Sequence, residues 1–169
     1  MTQPLLLAMP DTDMDPVADQ ATFNLNSCEM GDISEDAFDL EARKRGWLVA
    51  SGRGKGRDFD SIIKRPHLIR PVSVQTKLAH LDKNRGSYRV KCSSKFSYTK
   101  TAFDVLAVHL ADRNQFVFFL RSELGGRGCF RYMPLNLRKN KEFVSAVPYR
   151  DPDNWHLLDE VAESLTTNQ

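Results

Sequence analysis

The sequence is short of the residues that mark several protein classes. It has only three cysteines in 169 residues, at widely spaced positions 28, 92 and 129, which excludes a disulfide framework and a paired-cysteine zinc site. Its longest apolar runs, Leu5–Met9 and Phe116–Leu120, are far below the roughly 18 residues that cross a bilayer. No Lys or Arg precedes the first run, so the N-terminus does not resemble a targeting peptide. We expect an intracellular protein in a reducing environment, without membrane contact.

Charge is distributed very unevenly along the chain, although the formal net charge is only +2. Residues 1–42 hold ten acids and no Lys or Arg, and residues 151–169 hold five acids and no base. All 24 Lys and Arg lie in residues 43–150 with only seven acids, which gives this central part a net charge of +17. A basic centre attracts polyanions by releasing their counterions. The distribution favours nucleic acid as the partner, and a solvated surface neutralised by the acidic ends is the alternative.

The chain is long enough for one domain with short appendages. Residues 1–30 mix polar and acidic residues without clear periodicity, and we interpret them as an acidic N-terminal arm, mobile or loosely packed. A single domain is then expected over residues 31–169. Its core spans about residues 31–121, and a C-terminal extension covers residues 122–169.

The spacing of apolar residues predicts an α/β domain in which helices flank a mixed central β-sheet and cover its faces. A helix is expected to begin at Asp32 or Ser34 and to end at Gly46. The residues at helical spacing on its apolar side are Ile33, Ala37 and Leu40, with Phe38 as a further candidate. The predicted strands are a short buried strand at residues 47–50, two strands at 59–63 and 71–78, two buried strands at 102–111 and 115–121, and an edge strand at 130–137. A basic polar stretch covers residues 82–100, and a closing helix covers residues 154–164.

Three polar residues on consecutive predicted strands have the chemistry of a metal site that acts on phosphates. Because side chains alternate along a strand, Gln75 and Lys77 share a face, and Asp60 reaches that face if the two strands form a hairpin. Carboxylate and amide oxygens are ligands for Mg²⁺. A nearby Lys can orient or deprotonate a water, or stabilise charge on a phosphate. Glu35, in the first turn of the predicted helix, is a candidate to complete the site. Ordinary polar residues of a half-exposed strand would give the same spacing.

The order of these segments resembles the PD-(D/E)xK nuclease superfamily. The similar segments are Gly31–Glu35, Arg45–Val49, Phe59–Ile63, Val74–Lys77, Phe103–Val108 and Gln115–Phe119. The glutamine in place of the second acid is similar to the PD-(D/Q)xK variant seen in an intron-encoded homing endonuclease. The resemblance covers roughly residues 31–121 and implies a restriction-endonuclease-like core.

The resemblance also implies a role for each candidate catalytic residue. Asp60 matches the first acid of the motif, the expected bridging metal ligand, and Gln75 stands at the second acid position as a neutral ligand. Lys77 matches the motif lysine. Glu35 matches the helix acid that supports the metal, directly or through water. The implied cofactor is Mg²⁺, with Mn²⁺ as an alternative. No proline precedes Asp60, which departs from the motif. Asp58, two residues earlier, would face the same side of the strand, so Asp58 is the alternative first ligand.

Clusters of cations along the basic centre are candidates for contact with double-stranded DNA. The first is a Gly-rich loop directly before Asp60, and the second alternates with aromatic residues. The predicted DNA-binding residues are Arg53, Lys55, Arg57, Lys83, Arg85, Arg89, Lys91, Lys95 and Lys100. Because cleavage of two strands needs two active sites, we also expect a homodimer or homotetramer.

Together these features predict a Mg²⁺-dependent endonuclease of double-stranded DNA, site-specific in the manner of homing or restriction enzymes. Two alternatives stay open. One is a structure-selective resolvase of Holliday-junction type on the same fold. The other is a DNA-binding module that keeps the fold without turnover, which the neutral Gln75 leaves open.

Overall fold

A computed structural model of the chain describes residues 26–52, 58–92, 102–125, 128–134 and 147–167. Most of the predicted acidic arm at residues 1–30 lies outside the described residues. Within these ranges no helix combines the length and apolar character needed to cross a membrane.

A seven-stranded sheet and two helices make up the described part of the chain. In chain order the elements are α1 (Ser27–Lys44), β1 (Leu48–Ser51), β2 (Ser61–Lys64), β3 (Val72–Asp82), β4 (Ser87–Lys91), β5 (Val105–Leu110), β6 (Gln115–Leu120), β7 (Cys129–Tyr132) and α2 (His156–Thr167). Strand β3 is central: it pairs antiparallel with β2 and β4 and parallel with β5. The other pairs, β1–β2, β5–β6 and β4–β7, are antiparallel. The predicted α/β class with a mixed sheet is confirmed.

Both helices pack on one face of the sheet. Phe38 of α1 stacks on Trp155, just before α2, with ring centroids 5.8 Å apart, and both rings contact Phe118 of β6. The opposite face is covered by the sheet itself, since Phe119 of β6 packs edge-on against Phe130 of β7 at 5.2 Å. We expected helices on both faces. In the described residues β4 and β7 supply the second cover, because their inward side chains are apolar.

Helix α1 begins earlier than the sequence pattern predicted. Asn26 caps it by accepting the backbone N–H of Glu29 at 3.0 Å, and the Glu29 carboxylate accepts the backbone N–H of Asn26 at 2.7 Å. This reciprocal capping box satisfies N–H groups that the first helical turn leaves free. The predicted starts at Asp32 and Ser34 were therefore wrong, because both lie inside the helix.

The buried face of α1 differs in part from the prediction. Phe38, a candidate for the apolar side, is buried, but Ile33 and Leu40 are 46% and 53% exposed and the acid Asp39 is buried instead. The position of the sheet decides which side of the helix is covered, and here that side includes a carboxylate. The short strand β1 is likewise not buried: Leu48 is 59% exposed because β1 forms the edge of the sheet.

A buried histidine, His109 of β5, contacts α1. Its Nδ1 lies 3.1 Å from the Ser34 hydroxyl, which donates its own hydrogen to the Met30 carbonyl at 2.9 Å. The hydroxyl can therefore only accept from His109, so Nδ1 carries the proton. The other ring nitrogen has no hydrogen-bond partner among the described residues, and the ring stacks on Phe116 at 4.6 Å. Burial lowers the pKa of His109 below its ordinary value.

This pKa shift predicts a loss of stability on acidification. The folded protein keeps His109 neutral, whereas the unfolded chain takes up a proton below a pKa of about 6.5. The stabilisation is therefore complete above that pH and is lost as the pH falls below it, by at most about 1.4 kcal/mol per pH unit. His109→Gln should flatten the pH dependence of the unfolding free energy between about pH 5 and 7, measured by urea denaturation. The same substitution at exposed His67 should leave the slope unchanged. An unaltered slope in His109→Gln would contradict the prediction.

Candidate active site at the start of β2

The register of β2 against β3 creates the candidate active site. Ser61, the first residue of β2, lies opposite Val74 of β3. One residue earlier, Asp60 comes beside Gln75, and its backbone N–H donates to the Val74 carbonyl at 2.9 Å. The hairpin that we expected between these two strands is confirmed.

The Asp60 carboxylate bonds to β3 just before β2 begins. Its Oδ2 accepts the backbone N–H of Thr76 at 2.8 Å and a second hydrogen bond from the side-chain amide of Gln75. The side chain therefore binds a backbone group of β3 just beyond Val74, the last residue of β3 that pairs with β2. Gln75 is buried and held against the carboxylate.

Lys77, on the same strand as Gln75, is the third residue of this group. It is half-buried, and alternation along β3 places it on the face of Gln75. Its positive charge interacts with Asp60 and acts to lower the pKa of that carboxyl. The structure thus brings together three of the four predicted catalytic residues: Asp60, Gln75 and Lys77.

Burial dominates the electrostatics of Asp60 and raises its pKa above the ordinary value for aspartate. The Lys77 charge and the Thr76 N–H oppose this effect, in that order, and the Asp39 carboxylate reinforces it. Because the net shift is upward, the site lacks enough positive charge to stabilise the ionised carboxylate fully. A cation bound beside Asp60 would supply that charge.

The two remaining predicted acids lie in different surroundings. Glu35 is half-buried on α1, in the third turn of the helix rather than the first, because the helix begins at Ser27. The expected first-turn position of Glu35 was therefore wrong, and its place among the metal ligands stays a prediction. Asp58 is exposed, whereas Asp60 is hydrogen-bonded to β3. This contrast favours Asp60 as the first ligand.

Sequence patterns did not single out Asp39, a buried acid at the same end of the sheet as Asp60. Asp39 is 4% exposed, and it is close enough to Asp60 for its charge to raise the pKa of that carboxyl. It lies four residues after Glu35, and residues at this spacing share one side of a helix. That spacing was the available signal, but α1 carries several other acids, and the sequence does not show which of them faces the sheet.

Oxygen donors at the site fit a magnesium ion. Asp60 offers carboxylate oxygens and Gln75 an amide oxygen, both hard ligands. In the described residues no group of three or more His, Cys, Asp or Glu side chains is placed to hold a metal. Mg²⁺ does not require such a cage, because it commonly keeps several waters and binds through one or two protein ligands together with phosphate oxygens of the substrate.

Five of the predicted DNA-binding cations lie outside the described residues: Arg53, Lys55, Arg57, Lys95 and Lys100. The other four, Lys83, Arg85, Arg89 and Lys91, are all exposed, in the β3–β4 turn or on β4. Arg85 lies 3.8 Å from the Asp82 carboxylate.

The exposed side of β3, β4 and β7, formed by His80, Arg89, Lys91 and Arg131, is called here the outer strand face. Its register sets His80 opposite Arg89, and Arg89 opposite Arg131 on β7. Arg131 is also bonded to Asp82 at 3.1 Å. No acid within the described ranges pairs with Arg89 or Lys91. The strands therefore present a row of cations and donors, with their apolar side chains on the opposite side in the core.

The fold is similar to that of a bacterial homing endonuclease, I-Ssp6803I. The two structures superpose with a TM-score of 0.64 and 21% sequence identity, over 85% of this chain and 99% of the endonuclease. No family model matches the chain. No curated protein matches it either. The likeness shows that this chain shares its fold with a nuclease.

Because the pKa of Asp60 is raised, ionisation of this carboxyl lowers the free energy of unfolding. Stability from this group is present below the ordinary aspartate pKa and is lost as the pH rises through the folded value. Asp60→Asn should therefore leave the unfolding free energy of the metal-free protein at neutral pH unchanged or higher, as measured by urea denaturation.

Asp104→Asn is the matched control for this prediction. Its carboxylate accepts the backbone N–H and the hydroxyl of Ser73, at 2.8 and 2.6 Å. Loss of these charge-assisted bonds should destabilise the protein by about 1.5–3 kcal/mol. Equal destabilisation by the two substitutions would show that Asp60, like Asp104, mainly supports the fold.

Proposed function

We propose that this chain is a metal-dependent endonuclease that hydrolyses phosphodiester bonds in double-stranded DNA. The observation that carries the proposal is the contact between half-buried Asp60 and buried Gln75, with Lys77 on the same face of β3. A carboxylate, an amide and an ammonium group at one sheet edge are the groups that phosphodiester hydrolysis with Mg²⁺ requires. The shared fold with a protein described as a homing endonuclease supports the same reading.

Asp60 and Gln75 would hold the metal, with Glu35 as the third contributor from α1. Mg²⁺ is the proposed ion and Mn²⁺ the alternative. When bound, such an ion polarises the phosphate and makes a bound water more acidic. The Gln75 amide now donates to Asp60, so it would turn over to present its oxygen instead. As a neutral ligand, Gln75 leaves the site less negative than two acids would.

Lys77 acts on the reacting groups. Its ammonium has three donors on a flexible stem, which suits it to orient the attacking water and to stabilise negative charge as it develops on the phosphate. Asp60 holds this charge near the site in the absence of substrate. Because Lys77 is only half-buried, a phosphate can approach it from solvent.

The outer strand face is proposed to contact DNA. A ribbon of β-strands fits the major groove, where Arg reads guanine and Lys or Arg contacts phosphates. Arg89 and Lys91 are exposed and have no acidic partner in the described residues, so their charges are available to DNA. A site-specific enzyme of the homing type would use this face for its target, and a homodimer or homotetramer would supply an active site for each strand.

A DNA-binding module without turnover is the second candidate. It is favoured by the hydrogen bond between Gln75 and Asp60, because this contact satisfies both side chains without a metal. A structure-selective resolvase is the other enzymatic alternative, distinguished by a preference for branched over linear duplex.

Cleavage of plasmid and genomic DNA with Mg²⁺ tests the proposal. We expect wild type to cut, and Lys77→Met and Asp60→Asn to lose at least about 100-fold in rate while still binding DNA. Lys44→Ala, a change of the same charge on an exposed helical residue, should cut normally. If wild type binds all linear and branched substrates with steep salt dependence but cuts none, the non-catalytic module becomes the better account.

Arg89→Ala tests the outer strand face. Loss of one phosphate contact should weaken DNA binding and reduce the slope of log K against log salt by about one, measured by fluorescence anisotropy at several salt concentrations. Lys44→Ala again serves as the charge control. An unchanged slope in Arg89→Ala would place the DNA elsewhere on the protein.

A further inference from the structure

We propose that Asp39 is a positioning residue that holds Asp60 in place for the metal, which rests on the proposed function. The Asp39 carboxylate projects from α1 and is almost completely buried. One of its oxygens accepts the hydroxyl of Ser61 at 2.6 Å, and the other accepts the hydroxyl of Ser51. Ser61 directly follows Asp60 in the chain, so the Ser61 bond of this network lies one residue from the proposed first metal ligand.

The two serines make this contact a junction between three elements. Ser51 ends β1, Ser61 begins β2, and the register pairs them with each other. The carboxylate therefore binds both members of the last residue pair between β1 and β2. Since it belongs to α1, it ties the helix to the point at which β2 starts.

The backbone of Asp60 is held from both sides at the same point. Gly52, the residue after Ser51, donates its N–H to the Asp60 carbonyl at 2.5 Å, and the Asp60 N–H donates to Val74. A Cβ at Gly52 would lie 3.0 Å from the Asp60 carbonyl oxygen, so any larger residue there would crowd this contact. Because Asp39 fixes Ser51 and Ser61, it fixes the neighbour of each partner in the Gly52–Asp60 bond.

If Asp39 served only folding stability, a charged side chain at this buried position would be a costly choice. A buried carboxylate needs strong compensation, and the cation that pairs with it among the described residues, Arg43, lies 4.0 Å away with 53% of its side chain exposed. Asp60, the residue before β2, adds a second carboxylate close enough to interact with Asp39, and Lys77 on β3 adds positive charge that also acts on Asp60. Retaining an acid among these groups serves a site that must attract a divalent cation, beyond the needs of packing.

Metal binding without DNA provides the test. Wild type, Asp39→Asn and Ser61→Ala are titrated with Mg²⁺, and separately with Mn²⁺, while the thermal unfolding midpoint is followed. A ligand raises this midpoint according to its concentration relative to its Kd. We expect the apparent Kd to rise about tenfold in both variants, the effect typical of outer-shell partners of metal ligands. DNA binding in EDTA should be unchanged.

Ser34→Ala is the matched control. Ser34 is also a buried residue of α1, and its hydroxyl also contacts a second element, but its partner is His109 rather than the start of β2. It should lower the midpoint of the metal-free protein without altering the Kd for either ion. A Kd that is unchanged in Asp39→Asn and Ser61→Ala, or that rises equally in Ser34→Ala, would overturn the proposal.

The outcome separates this inference from the proposed function. If wild type binds neither ion and cuts no DNA, the metal-dependent nuclease itself fails. If wild type binds the ion and cuts while Asp39→Asn binds it equally well, only the role of Asp39 fails. Should Asp39→Asn not fold, Ser61→Ala and Ser51→Ala decide the question, because each removes one bond of the network and leaves the buried acid in place.

Discussion

The half-buried carboxylate of Asp60 makes the interactions around which the site is arranged. It accepts the backbone N–H of Thr76, as a neighbouring strand would, and a hydrogen bond from the Gln75 amide. It also interacts with the positive charge of Lys77. A carboxylate removed from water costs free energy unless hydrogen bonds and opposite charge stabilise it. Here the hydrogen bonds are present and the pKa is still raised, a condition more common in groups that bind a cation or a proton than in groups that only support a fold.

Two acids of the sheet illustrate this difference. Asp104 lies beside Ser73 on the neighbouring strand and accepts two short hydrogen bonds from it. Asp60 accepts from one backbone N–H and from the Gln75 amide, and that amide can equally turn its oxygen towards a metal. Both residues are aspartates next to β3, so the residue type does not distinguish them, and the surroundings do. The likeness to a homing endonuclease concerns the fold, whereas any chemistry depends on these local contacts.

The long strand β3 lets one sheet serve two purposes. Its first half pairs with β2 and β5 beneath the helices and carries the candidate site. Its second half pairs with β4, and β4 pairs in turn with β7. Together β4 and β7 cover the other face of β5 and β6. The exposed side of this second layer bears Arg89 and Lys91. A rigid strand therefore connects the proposed chemistry with the proposed DNA contact.

The sequence by itself determined the class of fold and the pairing of Asp60 with Gln75 and Lys77. Alternation along a strand is strict, so parity predicts which side chains share a face once a hairpin is assumed. Only the tertiary structure decided that α1 begins at Ser27, that Asp39 is buried and that β4 and β7 replace a helix on the second face. Helix starts depend on a local cap that several polar residues can provide, and the buried side of a helix depends on where the sheet lies. Neither can be read from periodicity, because α1 is polar on nearly every side and its one buried acid looks like the exposed ones.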